Sequence, residues 1–120
     1  MSEIKHEEMV AVLAKPGDKV MQDLTPSTAD LLHMAVGVSG EAGELLDAVK
    51  KAAIYAKPID RENVIEELGD LEFYIEGIRQ NLGISREETL QANIKKLKVR
   101  YEGLKYSNQA AQERADKAGE

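Results

Sequence analysis

Apolar residues recur along most of this chain in steps of three and four, the spacing that keeps one stripe turned toward a helical neighbour. From about residue 25 to Lys57 the stripe is Leu31, Ala35, Val38, Ala42, Leu45, Val49, Ala52 and Ala56. Thr25 before Pro26, or Ser27 with Asp30 three residues on, caps its start, and Pro58 sets its end. Val64, Leu68, Leu71, Ile75, Ile78 and Leu82 repeat the pattern between a capping Asp60 and a terminating Gly83. Ser85 with Glu88 forms the capping box of a further helix that carries Leu90, Ile94, Leu97, Tyr101 and Leu104. A short helix is expected over residues 3 to 14, stopped by Lys15, Pro16 and Gly17. After Tyr106 the sequence SNQAAQERADKAGE loses the stripe and reads as a solvated or frayed tail. No strand pattern or tandem repeat competes. The expected organisation is an N-terminal segment 1–24, an all-α helical bundle over 25–106, and a polar tail 107–120.

Composition narrows the chemistry. A chain of 120 residues fits one domain with a modest core, for which a second subunit is a source of extra burial. Leu32, Leu46 and Phe73 lie off the stripes and widen the surface needing cover, so a homo-oligomer is expected. Cysteine is absent and there are two histidines, so any bound metal would be held by oxygen. Sixteen basic against 22 acidic residues give a net charge of -6, which argues against a nucleic-acid-binding surface while leaving room for a local basic stripe. No apolar run approaches the length needed to span a bilayer, and a soluble cytoplasmic protein is expected.

The stretch GEAGELLDAVKK, residues 40 to 51, concentrates the candidate chemistry. Gly40 and Gly43 bracket Glu41 just before Glu44, and each glycine costs about 1 kcal/mol relative to Ala inside a helix. At about 100° per residue, His33, Gly37 and Gly40 share a face with Glu41 and Glu44. Gly37 and Gly40 thus remove bulk where a ligand or another backbone approaches, whereas Gly43 lies off that azimuth and is assigned to close helix packing. Glu41 and Glu44 each precede a stripe position, as do Glu67 and Asp70, with Asn63, Tyr74 and Asn81 along the same flank. One such pair is most often a solvated face. Two pairs at one seam repel strongly unless cations neutralise them. Mg2+, with Mn2+ as a substitute, prefers hard oxygen ligands and retains waters, leaving room for substrate phosphates. A di-iron centre of the ferritin kind fits worse, since Glu3-x-x-His6 and Asp30-x-x-His33 are the nearest approaches to its paired Glu-x-x-His motifs. Asn93, Lys96 and Arg100 sit one residue before Ile94, Leu97 and Tyr101 and offer donors to phosphate; the alternative is a solvated basic face shared with Lys95 and Lys98.

These fragments together resemble the single-domain MazG-type all-α nucleoside triphosphate pyrophosphohydrolases, a group close to the dimeric dUTPases. The resemblance spans about residues 30 to 106 and rests on Glu41-x-x-Glu44, Glu67-x-x-Asp70 within EELGDLEFY, and Asn93-x-x-Lys96-x-x-x-Arg100-Tyr101 within ANIKKLKVRY. It implies Mg2+ on Glu41, Glu44, Glu67 and Asp70, phosphate contacts from the basic helix, and a bundle completed by self-association as a dimer or tetramer. The implied reaction is attack by a metal-activated water that splits a nucleoside triphosphate into the monophosphate and pyrophosphate. His33 and the segment before the first motif resemble the nucleoside-facing region of small members; the other reading of His33 is a core histidine. Many relatives carry a further glutamate where this chain has Gly40, and in some that acid is assigned as the base for water. Glu66 substitutes for it, or metal coordination lowers the water pKa without a dedicated base. Two other functions stay open: a catalytically silent helical interaction protein that lost turnover through Gly40, and a hydrolase of dUTP or dUDP, of alarmones or of modified nucleotides. Spacing does not place the contacts that select base and sugar.

Overall fold

Thr25 opens the longest helix by a reciprocal exchange. Its hydroxyl accepts the Thr28 N–H at 3.1 Å, and the Thr28 hydroxyl accepts the Thr25 N–H at 2.8 Å, with Pro26 at the first helical position where no donor is needed. This frees Asp30 from capping. The structure, a computed structural model describing residues 3–114 and 116, contains α1 (His6–Leu13), α2 (Gly17–Asp23), α3 (Pro26–Ala53), α4 (Arg61–Leu82), α5 (Arg86–Arg100), a 3₁₀ turn (Glu102–Leu104) and α6 (Asn108–Glu113). The fold is all-helical, with no strand among the described residues.

Asp60 caps α4 by accepting the Asn63 N–H, and Gly83 ends it at φ 67°, a left-handed conformation that glycine adopts without a Cβ penalty. Ser85 caps α5 by accepting the Glu88 N–H at 3.0 Å. Three boundaries differ from the sequence expectation. α3 stops at Ala53 and not near Lys57: Pro58 disfavours helix at the residue before it, and the chain turns through Ala56 at φ 53°, so Ala56 holds no stripe position. α5 stops at Arg100, and Leu104 follows Gly103 (φ 73°) in the left-handed region at φ 55°. Pro16, read as a breaker, is also the N-cap of α2, since a proline at a helix start forfeits no internal hydrogen bond. Within the segment read as a solvated tail, Ser107 accepts the Ala110 N–H at 3.0 Å and caps α6.

Among the described residues, α3 and α4 form the one extensive interhelical contact, an antiparallel hairpin. Asp30 meets Asn81, Met34 meets Gly77, Gly37 meets Tyr74 and Glu41 meets Asp70, each step along α3 being matched by an equal step back along α4. α5 packs chiefly on the 3₁₀ turn and α6. Among the described residues Ala48 is the one buried apolar side chain, while Leu32, Leu46, Phe73 and the α5 stripe residues Leu90 and Ile94 stay exposed. The radius of gyration is 20.4 Å, against about 14 Å for a compact domain of this length. Among the described residues no helix is long and apolar enough to cross a membrane.

Candidate metal and phosphate site

The hairpin register brings Glu41 of α3 level with Glu67 and Asp70 of α4. One carboxylate oxygen from each lies within 4.8 Å of the other two. Glu41 and Glu67 are half-buried and Asp70 is exposed, so the cluster sits at the edge of the seam. Glu67 Oε2 is buried and receives no hydrogen bond. The facing Glu41 carboxylate can bond to Glu67 only through a shared proton. That contact first, then burial, then the negative charges of Glu41, Asp70 and Glu44, raise the Glu67 pKa above its usual value. None of the ion pairs among the described residues involves these acids. A buried carboxylate oxygen without a donor, two further carboxylates in reach and no protein cation together fit a hard divalent cation. Glu44, one turn on from Glu41, is exposed and lies outside the close group, although its charge acts on Glu67. Glu66 is exposed beside Glu67.

The glycines resolve into separate roles. A Cβ at Gly37 would come within 2.2 Å of the Tyr74 ring, and one at Gly77 would lie 2.3 Å from the Met34 sulfur. Tyr74 therefore seats directly on the α3 backbone, with Phe73 edge-on at 5.2 Å and His33 at 6.4 Å. His33 is exposed, not a core residue. Gly40 and Gly43 have no neighbour within 4 Å of an added Cβ, so the packing assigned to Gly43 is not made among the described residues. Glu41, Asp70, Phe73 and Tyr74 line a cleft of about 370 Å³.

On α5, Asn93 is exposed and Lys96 and Arg100 are half-buried. The structure does not gather them beside the acids through any extensive α5 contact with the hairpin. Arg100 instead donates Nε to Asp116 Oδ1 at 3.0 Å and Nη2 to Oδ2 at 3.4 Å, which raises its pKa further. A buried charge that sequence reading passed over is Arg79 of α4. Its Nε donates to Glu76 Oε1 at 2.9 Å and its Nη2 lies 3.8 Å from Glu72; the helical spacing of Glu72, Glu76 and Arg79 was the available signal. Arg79 and Gln80 hold the Glu76 carboxyl below its usual range.

Compared with known proteins, residues 29–104 match the family model for the MazG nucleotide pyrophosphohydrolase domain. No curated protein and no solved structure matches the chain. The matched segment holds the α3–α4 hairpin with its three converging carboxylates and all of α5, and the chain belongs to the MazG nucleotide pyrophosphohydrolase domain family.

Proposed function

We propose that the chain hydrolyses nucleoside triphosphates to the monophosphate and pyrophosphate in a Mg2+-dependent reaction, with Mn2+ as a substitute. The observation that carries this reading is the donorless Glu67 carboxylate facing Glu41 and Asp70 inside the family segment. Glu41, Glu67 and Asp70 would hold the cation, and Glu44 at the rim would complete the acidic set. When bound, the cation supplies positive charge to phosphate oxygens and makes a coordinated water easier to deprotonate. Glu66, exposed next to Glu67, takes up the proton released by the attacking water. Lys96 and Arg100 bind and orient phosphates, and Asn93 adds a neutral donor on the same flank. His33 lies at the open edge of Tyr74, where it contacts the nucleoside.

The same reading includes self-association as a dimer or tetramer. The apolar side chains left exposed on the hairpin and on α5, and a radius of gyration well above that of a compact domain, support a bundle closed by another copy. A panel of nucleotides assayed with Mg2+ tests the function by separating pyrophosphate from orthophosphate release. Pyrophosphate and a monophosphate in equal amounts are expected. Orthophosphate as the product, or no turnover of any nucleoside triphosphate, overturns the proposal.

A further inference from the structure

Beyond Tyr74, away from the acids, the hairpin opens into a groove of about 530 Å³ lined by Asp30, Met34, Phe73, Glu76, Gly77, Gln80 and Asn81. Phe73 also lines the acid cleft, so the two spaces adjoin. Met34 and Gly77 lie seven residues from Glu41 and Asp70, about 10 Å of helix rise, and Asp30 and Asn81 lie eleven residues away, about 16 Å. An extended nucleotide whose phosphates reach the acids spans that interval. Phe73 is 67% exposed and offers a ring face on which a base can stack.

The polar end of the groove is biased in its hydrogen bonding. The Asn81 amide nitrogen donates to the Ser27 carbonyl at 3.0 Å and to Asp30 Oδ2 at 3.2 Å, which uses both of its hydrogens. These acceptors fix the amide's orientation, and Asn81 has its carbonyl oxygen left to offer. The Asp30 carboxylate offers acceptors, and no donor among the described residues reaches its Oδ1. Arg79, the cation of this end of α4, is engaged by Glu76 and Glu72. Asp30 and Asn81 thus present acceptors to the groove, with the Glu76 carboxylate beside them, while Gln80 commits one amide hydrogen to Glu76 at 2.9 Å.

Resting on the proposed pyrophosphohydrolase reading, we propose that these acceptors select nucleobases carrying an exocyclic amino group. Cytosine, adenine and guanine each present an NH2 to Asp30 and Asn81. Uracil and thymine present a carbonyl oxygen where cytosine has its amino group and keep the N3–H as a single donor on that edge, against the two hydrogens of an amino group. Asp30 and Asn81 are specificity-determining residues; neither takes part in the bond cleavage.

The test compares kcat/KM for dCTP, dATP and dGTP with that for dUTP and dTTP, in wild type and in Asp30→Asn. Wild type is expected to favour each amino-bearing base by about tenfold to a hundredfold, the range for a hydrogen bond to a charged group. Asp30→Asn keeps the volume and introduces a donor, so the preference shrinks or inverts. Nuclear magnetic resonance titration of wild type with dCMP and dUMP in the absence of metal reads the same preference without turnover and is expected to show tighter dCMP binding. Turnover without base preference, or with uracil and thymine preferred, overturns the inference and leaves the pyrophosphohydrolase reading standing. Absence of turnover with tighter dCMP binding sinks that reading and keeps the selective groove. An unchanged ratio in folded Asp30→Asn, or equal binding of the two monophosphates, overturns the assignment of Asp30.

Discussion

Replacing Gly37 by Ala sets two effects of opposite sign against each other. Helix propensity favours Ala by about 1 kcal/mol in a helix interior. The added Cβ, however, comes within 2.2 Å of the Tyr74 ring, and overpacking of a fitted interior costs typically about 1–3 kcal/mol. The obstacle is a ring with edge contacts to Phe73 at 5.2 Å and His33 at 6.4 Å, not the free end of a flexible chain, so the upper half of that range applies. The net expectation is a loss of about 1–2 kcal/mol. Gly40→Ala, one turn along the same helix, meets nothing within 4 Å and keeps the gain of about 1 kcal/mol. The two variants should therefore separate by about 2–3 kcal/mol, on the order of 10 °C in melting temperature for a chain of this size. Thermal melts followed by far-ultraviolet circular dichroism at matched concentration make the comparison. Tyr74 lines the acid cleft, so its displacement should lower turnover in Gly37→Ala as well. A Gly37→Ala protein that melts at or above Gly40→Ala would refute the seating of Tyr74 on the α3 backbone.

In metal-free protein the raised Glu67 pKa contributes stability that is fully present below the usual carboxylate pKa and is lost as pH rises through the folded value; melts in chelator across that window should decline, Mg2+ should reverse the decline, and Glu67→Gln should flatten it. Lys96→Ala and Arg100→Ala should each lower kcat/KM about tenfold or more, the scale of a charge-assisted phosphate contact, with the helical signal intact; steady-state kinetics showing no change would remove them from the phosphate site. Light scattering at micromolar concentration should give at least a dimer, and a stable folded monomer would contradict the closure of the bundle by a second copy. Gly40→Glu meets open space within the chain and supplies an acid in place of the missing one; it should raise kcat, whereas an unchanged kcat would mean that Glu66 or the metal alone suffices.

The caps at Thr25, Asp60 and Ser85 and the stop at Gly83 were legible because each is a side-chain or backbone effect acting over three or four residues. The approach of Glu41, Glu67 and Asp70 was legible for a related reason: spacing of three places both pairs beside the stripe, and a short connection makes consecutive helices pair. Ala56 was miscounted as helical because the period continues through it, while the turn before Pro58 is decided by backbone sterics that periodicity does not register. Arg79 was missed because charge ordinarily marks a wet position, and its burial depends on Glu72 and Glu76 reaching round their own helix. The tail gave no warning of Asp116, since its contact with Arg100 joins positions sixteen residues apart that no helical period relates. Nothing in the α5 stripe names its partner surface, because a row of Leu and Ile fits any complementary row equally well.

The pairing of Arg100 with Asp116 has a consequence for how affinity is measured. The carboxylate occupies the Nε–Nη2 edge of the guanidinium, with the two side chains 16% and 6% exposed. A phosphate can meet the docked arginine end-on, but to engage it side-on it must exchange places with the carboxylate. In that geometry an observed dissociation constant is a ratio between two occupants of one fork, not the intrinsic strength of either. Reciprocity then requires the anion to weaken the Asp116 contact by the same factor with which that contact weakens the anion.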